Sequence, residues 1–284
     1  MGEDVLVAFA DYERARNLAE TTIRNRDSIL RTARDKLGKL LIDMDLRDLR
    51  QYLGRPGNHP GTRRTERAAM RAFYRWLVDD GYRQDDPTTR LAPIRVPKGE
   101  PRPFTPGQID AMLSRSYART RAMILLGYYQ GFRVSSIARV HGDDIDLLAR
   151  TIRTRGKGNK VRTLPLHPVI AELAETMPTR DWWFPARGDH PGHVKPTSVT
   201  DLITRAKKRA GITDPTLTPH SLRHAFGTDL VEEGVDIRVV QELMMHESLA
   251  TTQIYTRVSE RLKREGISVL AARSIPMHSH RRTA

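Results

Sequence analysis

The chain has 284 residues, a formal net charge of +14 and no cysteine. The length admits two domains with separate cores, and the lack of cysteine excludes a disulfide framework, a thiolate nucleophile and any Cys-ligated metal. The basic surplus points to a polyanionic partner, nucleic acid being the usual one. Met1-Gly2-Glu3-Asp4 lacks the basic-then-apolar pattern of a signal peptide, and there is no apolar run of the ~18 residues that span a membrane. The expectation is a soluble, cytoplasmic protein without membrane contact.

Residues 1–92 read as helical. Ile23, Leu30, Ala33 and Leu37 lie on one face of a first helix after Thr22, and Leu46–Leu53 gives a short second one. The strongest pattern runs over Thr65–Asp80, where Ala69, Ala72, Phe73, Trp76 and Leu77 keep the helical period and Gly81 ends it. Between them, Gly54–Gly61 is a loop by its Gly and Pro content. Arg24, Arg26, Arg63, Arg64, Arg67 and Arg71 lie on the polar flanks. They fit phosphate contacts, with an ordinary solvated face as the alternative.

Residues 93–103 hold four prolines and a glycine and read as a semi-rigid linker. Thr105-Pro106 then opens a second domain, 104–273, as an N-cap and first helical residue. A buried helix over Arg119–Gln130 breaks at Gly131-Phe132-Arg133-Val134-Ser135, and another passes through Ile137 and Val140. Thr151–Thr154 and Val161–Leu164, separated by Gly156-Lys157-Gly158-Asn159, read as a β-hairpin. His167-Pro168 opens a helix with Val169, Leu173 and Met177 inward. Trp182-Trp183-Phe184-Pro185 is an aromatic knot, and Ser198 is expected to cap a helix that Gly211 ends. In Thr218-Pro219-His220-Ser221-Leu222-Arg223-His224, Thr218 and Pro219 start a helix on which His220 and Arg223 share a face. A helix near Asp236–Met244 follows, and 274–284 is a polar tail.

Taken one at a time, Arg133, Lys157, His220, Arg223, His246 and Tyr255 each have an unremarkable reading as caps, surface charges or a core tyrosine. Their order along the chain is more specific. Gly131-Phe132-Arg133-Val134-Ser135, Gly156-Lys157-Gly158-Asn159-Lys160, His220-Ser221-Leu222-Arg223-His224, Met245-His246-Glu247-Ser248 and Thr252-Gln253-Ile254-Tyr255-Thr256 resemble the motifs of tyrosine recombinases, the phage integrase and Xer class. The resemblance covers most of the chain.

It implies a mainly α, two-domain fold: a helical, SAM-like core-type DNA-binding domain over 1–92 and an α+β catalytic domain with a small antiparallel sheet, closing as a C-shaped clamp on DNA. It implies that Arg133 and Arg223 clamp a phosphate, that Lys157 is the hairpin lysine, that His220 and His246 fill the histidine positions and that Tyr255 is the nucleophile. His224 is implied as a structural brace, and Lys160 joins the arginines above as a candidate DNA contact. The implied activity is site-specific strand exchange through a 3′-phosphotyrosyl intermediate and a Holliday junction. No metal, ATP or other cofactor is implied. The implied partners are a double-stranded core attachment site, a homotetramer on synapsed DNA and a directionality factor.

Chemistry agrees with those roles. A phenol stays attached after attack on phosphorus, but its pKa of about 10 requires a proton acceptor near neutrality. Two guanidinium groups hold the charge spread over the phosphate oxygens, and a lysine can protonate the leaving 5′ oxygen.

Two departures stand out. Ser136 occupies the place, three residues after the first arginine, where the family usually has an acid. About 90 residues precede the linker, enough for the core-binding domain alone, so an arm-binding domain is not expected. The phage or mobile-element role is preferred over chromosome-dimer resolution. The competing readings are an inactive DNA-binding regulator with this fold, which Ser136 alone favours, and a type IB topoisomerase.

Overall fold

The computed structural model describes residues 2–97, 102–155, 161–188 and 191–245. It divides into two compact units, residues 1–99 and 100–284.

The first unit is all helix: α1 (Gly2–Ala15), α2 (Glu20–Leu37), α3 (Leu46–Gly54) and α4 (Pro60–Asp79). Gly38 ends α2 at φ 58°, in the left-handed region glycine tolerates best. Asp45 and Asp48 form a capping box at the start of α3. The core is aromatic, with the Phe9 ring edge-on to Phe73 at 5.3 Å and tilted against Trp76 at 5.2 Å.

α4 begins five residues before Thr65. Pro60 sits at its first position and the His59 ring accepts from Gly61 N, so the end of the expected loop is already helical. α1 was not singled out from the sequence; Val5, Leu6 and Phe9 nonetheless bury one face of it.

A polar knot fixes the α3–α4 connection. Glu66 is 4 % exposed and accepts from Tyr52 Oη at 3.1 Å, Arg55 Nη1 at 3.0 Å and Asn58 Nδ2 at 2.8 Å. Burial alone would raise the Glu66 pKa, but hydrogen bonds from Arg55 and Asn58 outweigh it and the carboxyl titrates below its usual range. The same burial and carboxylate push the Tyr52 phenol up to about 12.

The second unit wraps helices around α6 (Ala118–Tyr129), which is apolar on nearly every side. α5 (Pro106–Ser114), α7 (Val134–Ala138), α8 (Pro168–Glu175), α9 (Pro196–Arg209) and α10 (His220–Glu232) all pack on it. The short α11 (Ile237–Leu243) rests on α10. Thr105 caps α5 in a capping box with Gln108, as Thr-Pro implied.

The hairpin is present and carries one strand more than expected: β1 (Ile145–Asp146), β2 (Thr151–Arg155) and β3 (Val161–Pro165) form an antiparallel sheet in that order. Ile152 pairs with Leu164 and both are buried, whereas their neighbours along the strands face outward.

Three local expectations are corrected. The innermost residues of α8 are Ile170 and Ala174, with Leu173 and Met177 only partly buried beside them, because the helix turns one position from the expected stripe. α9 starts at Pro196, so Ser198 lies within its first turn and caps nothing. α10 has no side-chain cap; Ser221 Oγ accepts from Thr218 N at 3.1 Å, and it is this bond that braces the helix entry.

Candidate active site

Gly131 is the pivot of the site. It follows α6 at φ +62°, and its carbonyl accepts a hydrogen bond from Arg223 Nη1 at 2.5 Å. Arg223 Nη2 donates to Met244 O at the end of α11. With 1 % of its area exposed, Arg223 is a buried cation binding the end of α6 and the end of α11 to α10. So buried a charge needs hydrogen-bond acceptors, and its planar fork engages two carbonyls at once.

Two residues beyond Gly131, Arg133 occupies the N-cap position of α7 and is half-buried. His220 stands in the first turn of α10 with an edge open to solvent. Its pKa is lowered, first by the protein packed around its inner face and then by the charges of Arg223 and Arg133. The shift favours the neutral imidazole over the imidazolium, beside two cations. The His224 ring stands edge-on to it at 4.7 Å and is pushed down to about 4, by burial and then by His220 and Arg223.

The structure thus brings Arg133, His220 and Arg223 together, with His224 behind His220. Lys157, Lys160, His246 and Tyr255 lie outside the described residues. Met245, the residue before His246, is buried and turns at φ 49° in the left-handed region.

Ser136 is 7 % exposed and opens onto a cleft of about 540 Å³ that Arg139, Arg153, Arg155, Asp143 and Asp144 also line. The Asp143 and Asp144 pair serves the local turn: Arg153 donates to Asp143 O at 2.7 Å and its Nε lies 3.5 Å from the Asp144 carboxylate.

Of the candidate DNA contacts in the first unit, Arg24, Arg64 and Arg71 are exposed. The others have work within the unit. Arg26 pairs with buried Glu13, Arg63 Nε donates to Asn58 O at 2.9 Å, and Arg67 Nη2 donates to Leu91 O at 2.6 Å.

A basic cleft of about 490 Å³ was not singled out from the sequence. Arg119, Arg187, Lys195 and Arg205 line it, with Ser198 and Asp201 in the first turns of α9. Arg119 Nη2 donates to Pro185 O at 2.8 Å, while its buried Nε has no hydrogen-bond partner among the described residues. Burial, and then the charge of Arg187, lowers the Arg119 pKa. The four cations come from three separate stretches of chain, so no local motif announces them.

Comparison with known proteins settles the kinship. Residues 104–261 match the phage integrase family. The chain belongs to that family. It is 34 % identical over 247 residues to the tyrosine recombinase XerD of Caulobacter vibrioides, covering 78 % of this chain and 80 % of the relative. The integrase from mycobacterium phage Brujita is 38 % identical, with 92 % of this chain and 90 % of the other aligned and a TM-score of 0.50. A lambda integrase (75–356) dimer bound to a COC′ core site shares the fold at a TM-score of 0.72, with 16 % identity over 88 % of this chain and 96 % of the other. This chain is therefore a tyrosine recombinase, an enzyme of site-specific DNA recombination with a mainly helical fold and a small antiparallel sheet. No helix among the described residues is long and apolar enough to cross a membrane.

Proposed function

We propose that the protein cleaves and rejoins duplex DNA at a core attachment site, with Tyr255 as nucleophile, in the integration or excision of a phage or mobile element. The observation that carries this reading is the Arg133–His220–Arg223 cluster, in which an imidazole with a lowered pKa lies within electrostatic reach of two guanidinium groups, one of them anchored on the Gly131 carbonyl. Identity of 38 % to a phage integrase supports the mobile-element role.

In this reading Arg133 and Arg223 clamp the scissile phosphate and His246 hydrogen-bonds it. The Tyr255 oxygen attacks phosphorus and its proton passes to His220, whose lowered pKa favours the unprotonated ring that can take it. The bond to the 5′ oxygen breaks, Lys157 supplies the proton to that oxygen, and a 3′-phosphotyrosyl link remains. Attack by a 5′ hydroxyl from a second duplex reverses the step and makes the Holliday junction. The two guanidinium groups carry the transition-state charge without a metal.

Residues 1–92 serve as the core-binding domain, 104–273 as the catalytic domain and 274–284 as a tail after it. Arg24, Arg64 and Arg71 and the Arg119–Arg187 cleft supply backbone contacts. The working species is a homotetramer on synapsed DNA in the cytoplasm, at the nucleoid, steered by a directionality factor.

A nicked suicide substrate carrying the cognate site tests this. Wild-type protein should form a covalent protein–DNA adduct in EDTA, and Tyr255→Phe should form none. Absence of any adduct on cognate DNA would favour the inactive-regulator reading that Ser136 suggests. An adduct that needs magnesium would overturn the metal-free step.

A further inference from the structure

Lys207 lies in the last turn of α9 and is 8 % exposed, yet no ion pair engages it among the described residues. Its ammonium donates to Asp214 O at 2.7 Å and to Leu217 O at 2.8 Å. Both acceptors belong to the loop from Gly211 to Thr218, which leads directly into His220. The end of α9 is closed by a Schellman motif: Gly211, at φ +78°, donates to Lys208 O at 3.0 Å, and Ile212 donates to Lys207 O at 3.1 Å. Lys207 therefore grips the loop twice, through its own carbonyl at the near end and through its ammonium at the far end.

Packing does not require this charge. A methionine has nearly the same reach and would fill the same space without desolvating an ammonium. What the ammonium adds is a donor for two carbonyls, the Leu217 one buried, to which no other group among the described residues donates. Asp214 braces the loop from its exposed side, its carboxylate accepting from Thr216 N at 2.8 Å and Thr216 Oγ1 at 2.6 Å. Leu217 is buried, Thr218 N donates to Ser221 Oγ at 3.1 Å, and Phe104 N donates to Ser221 O at 3.4 Å. Each of these bonds fixes where the first turn of α10 begins. That first turn carries His220, while Arg223, one turn further on, is anchored separately through Gly131 and Met244.

We infer that Lys207 is a positioning residue for His220: by holding the Asp214 and Leu217 carbonyls it sets the helix entry, and thus the place of the imidazole beside Arg133 and Arg223. This rests on the proposed role of His220 in proton transfer. Arg223 keeps its own anchors, so losing the clamp displaces the imidazole from the phosphate-binding cations instead of dismantling the pocket.

The test compares Lys207→Met and Lys207→Arg with wild type in the full chain. Three quantities are read: DNA affinity by gel shift, the rate of adduct formation on the nicked substrate, and the titration of His220 followed by its ring proton resonance. Lys207→Met should bind DNA within about twofold of wild type but form the adduct roughly ten- to a hundredfold more slowly, as expected for a misplaced reacting group. Its His220 titration should move up from the lowered wild-type value toward that of a free imidazole. Lys207→Arg, which can still reach two carbonyls, should restore both rate and titration. A Lys207→Met protein with wild-type rate and titration would overturn the inference, as would equal losses in binding and cleavage with His220 unmoved. Should Lys207→Met fail to fold, Lys207→Gln, uncharged and one atom shorter, is read against the same outcomes. If wild type itself forms no adduct, the recombination reading has failed, and the His220 titration still decides whether Lys207 places the ring.

Discussion

Replacing Gly131 by alanine should damage both the stability of the second unit and its chemistry. The residue sits at φ +62°, where a Cβ would stand 2.5 Å from Phe226 Cδ1 and 2.7 Å from Cε1. The left-handed conformation costs an L-residue about 1–2 kcal/mol. Forcing the methyl against the ring adds about 1–3 kcal/mol of overpacking. Phe226 is only partly buried and packs beside Val240 and Met244, so the ring can swing at the expense of that contact. The sum should be about 2–5 kcal/mol, or roughly 4–20 °C in Tm for a protein of this size. Gly234→Ala is the control: its φ is +82° with nothing within 4 Å of the added Cβ, so it should show the conformational cost alone. Thermal unfolding of both variants separates the two contributions. Adduct formation should fall in Gly131→Ala, because the Gly131 carbonyl that holds Arg223 moves with the strained turn. A Gly131→Ala protein no less stable than Gly234→Ala would refute the Phe226 contact, and an unchanged adduct rate would refute the link to Arg223.

His224 makes the fold sensitive to acid. Its pKa falls from 6.5 to about 4 in the folded protein, so the unfolded chain takes the proton first. Stability should be complete above about pH 6.5 and decline by roughly 1–3 kcal/mol as the pH falls toward 4, and His220 shifts in the same sense. Urea midpoints across that range should flatten in His224→Gln; an unaltered slope would show that the loss arises elsewhere. In the basic cleft, Arg187→Gln and Arg205→Gln should each reduce the salt slope of DNA binding by about 0.9, one phosphate contact apiece. Arg119 is best left intact there, because it also holds Pro185 O. Unchanged slopes in both variants would remove the cleft from the DNA track.

Much of the second unit could be read along the chain because its signals are local. Thr105-Pro106, His167-Pro168 and Asp236 each cap the helix they announce. The β-branched stretches on either side of Gly156–Asn159 form the paired strands. Where the sequence misleads, two equally plausible signals lie close together. Ser198 looks like a cap, but Pro196 two residues earlier already fixes a helical φ. The spacing of His220 and Arg223 implies a shared face, yet not their opposite environments, one ring at the solvent edge and one guanidinium fully enclosed. That contrast comes from Gly131 and Met244, which are brought to Arg223 only by the packing of α6 and α11 on α10. Lys207 was invisible for the same reason. A lysine in the basic last turn of a helix reads as solvated until the loop after it folds back over the ammonium.

The hold on Arg223 has a consequence for how its partners behave under mutation. Gly131 supplies an acceptor to Arg223 and lies two residues before Arg133 in the same turn. Further along α10, Tyr128 Oη donates to Asp229 at 2.6 Å, so the C-terminal end of α6 is fastened to α10 at two points. The two arginines are thus thermodynamically coupled, and a double-mutant cycle on them should be strongly non-additive. The loss of one would already degrade the setting of the other, and the second substitution would have little left to remove.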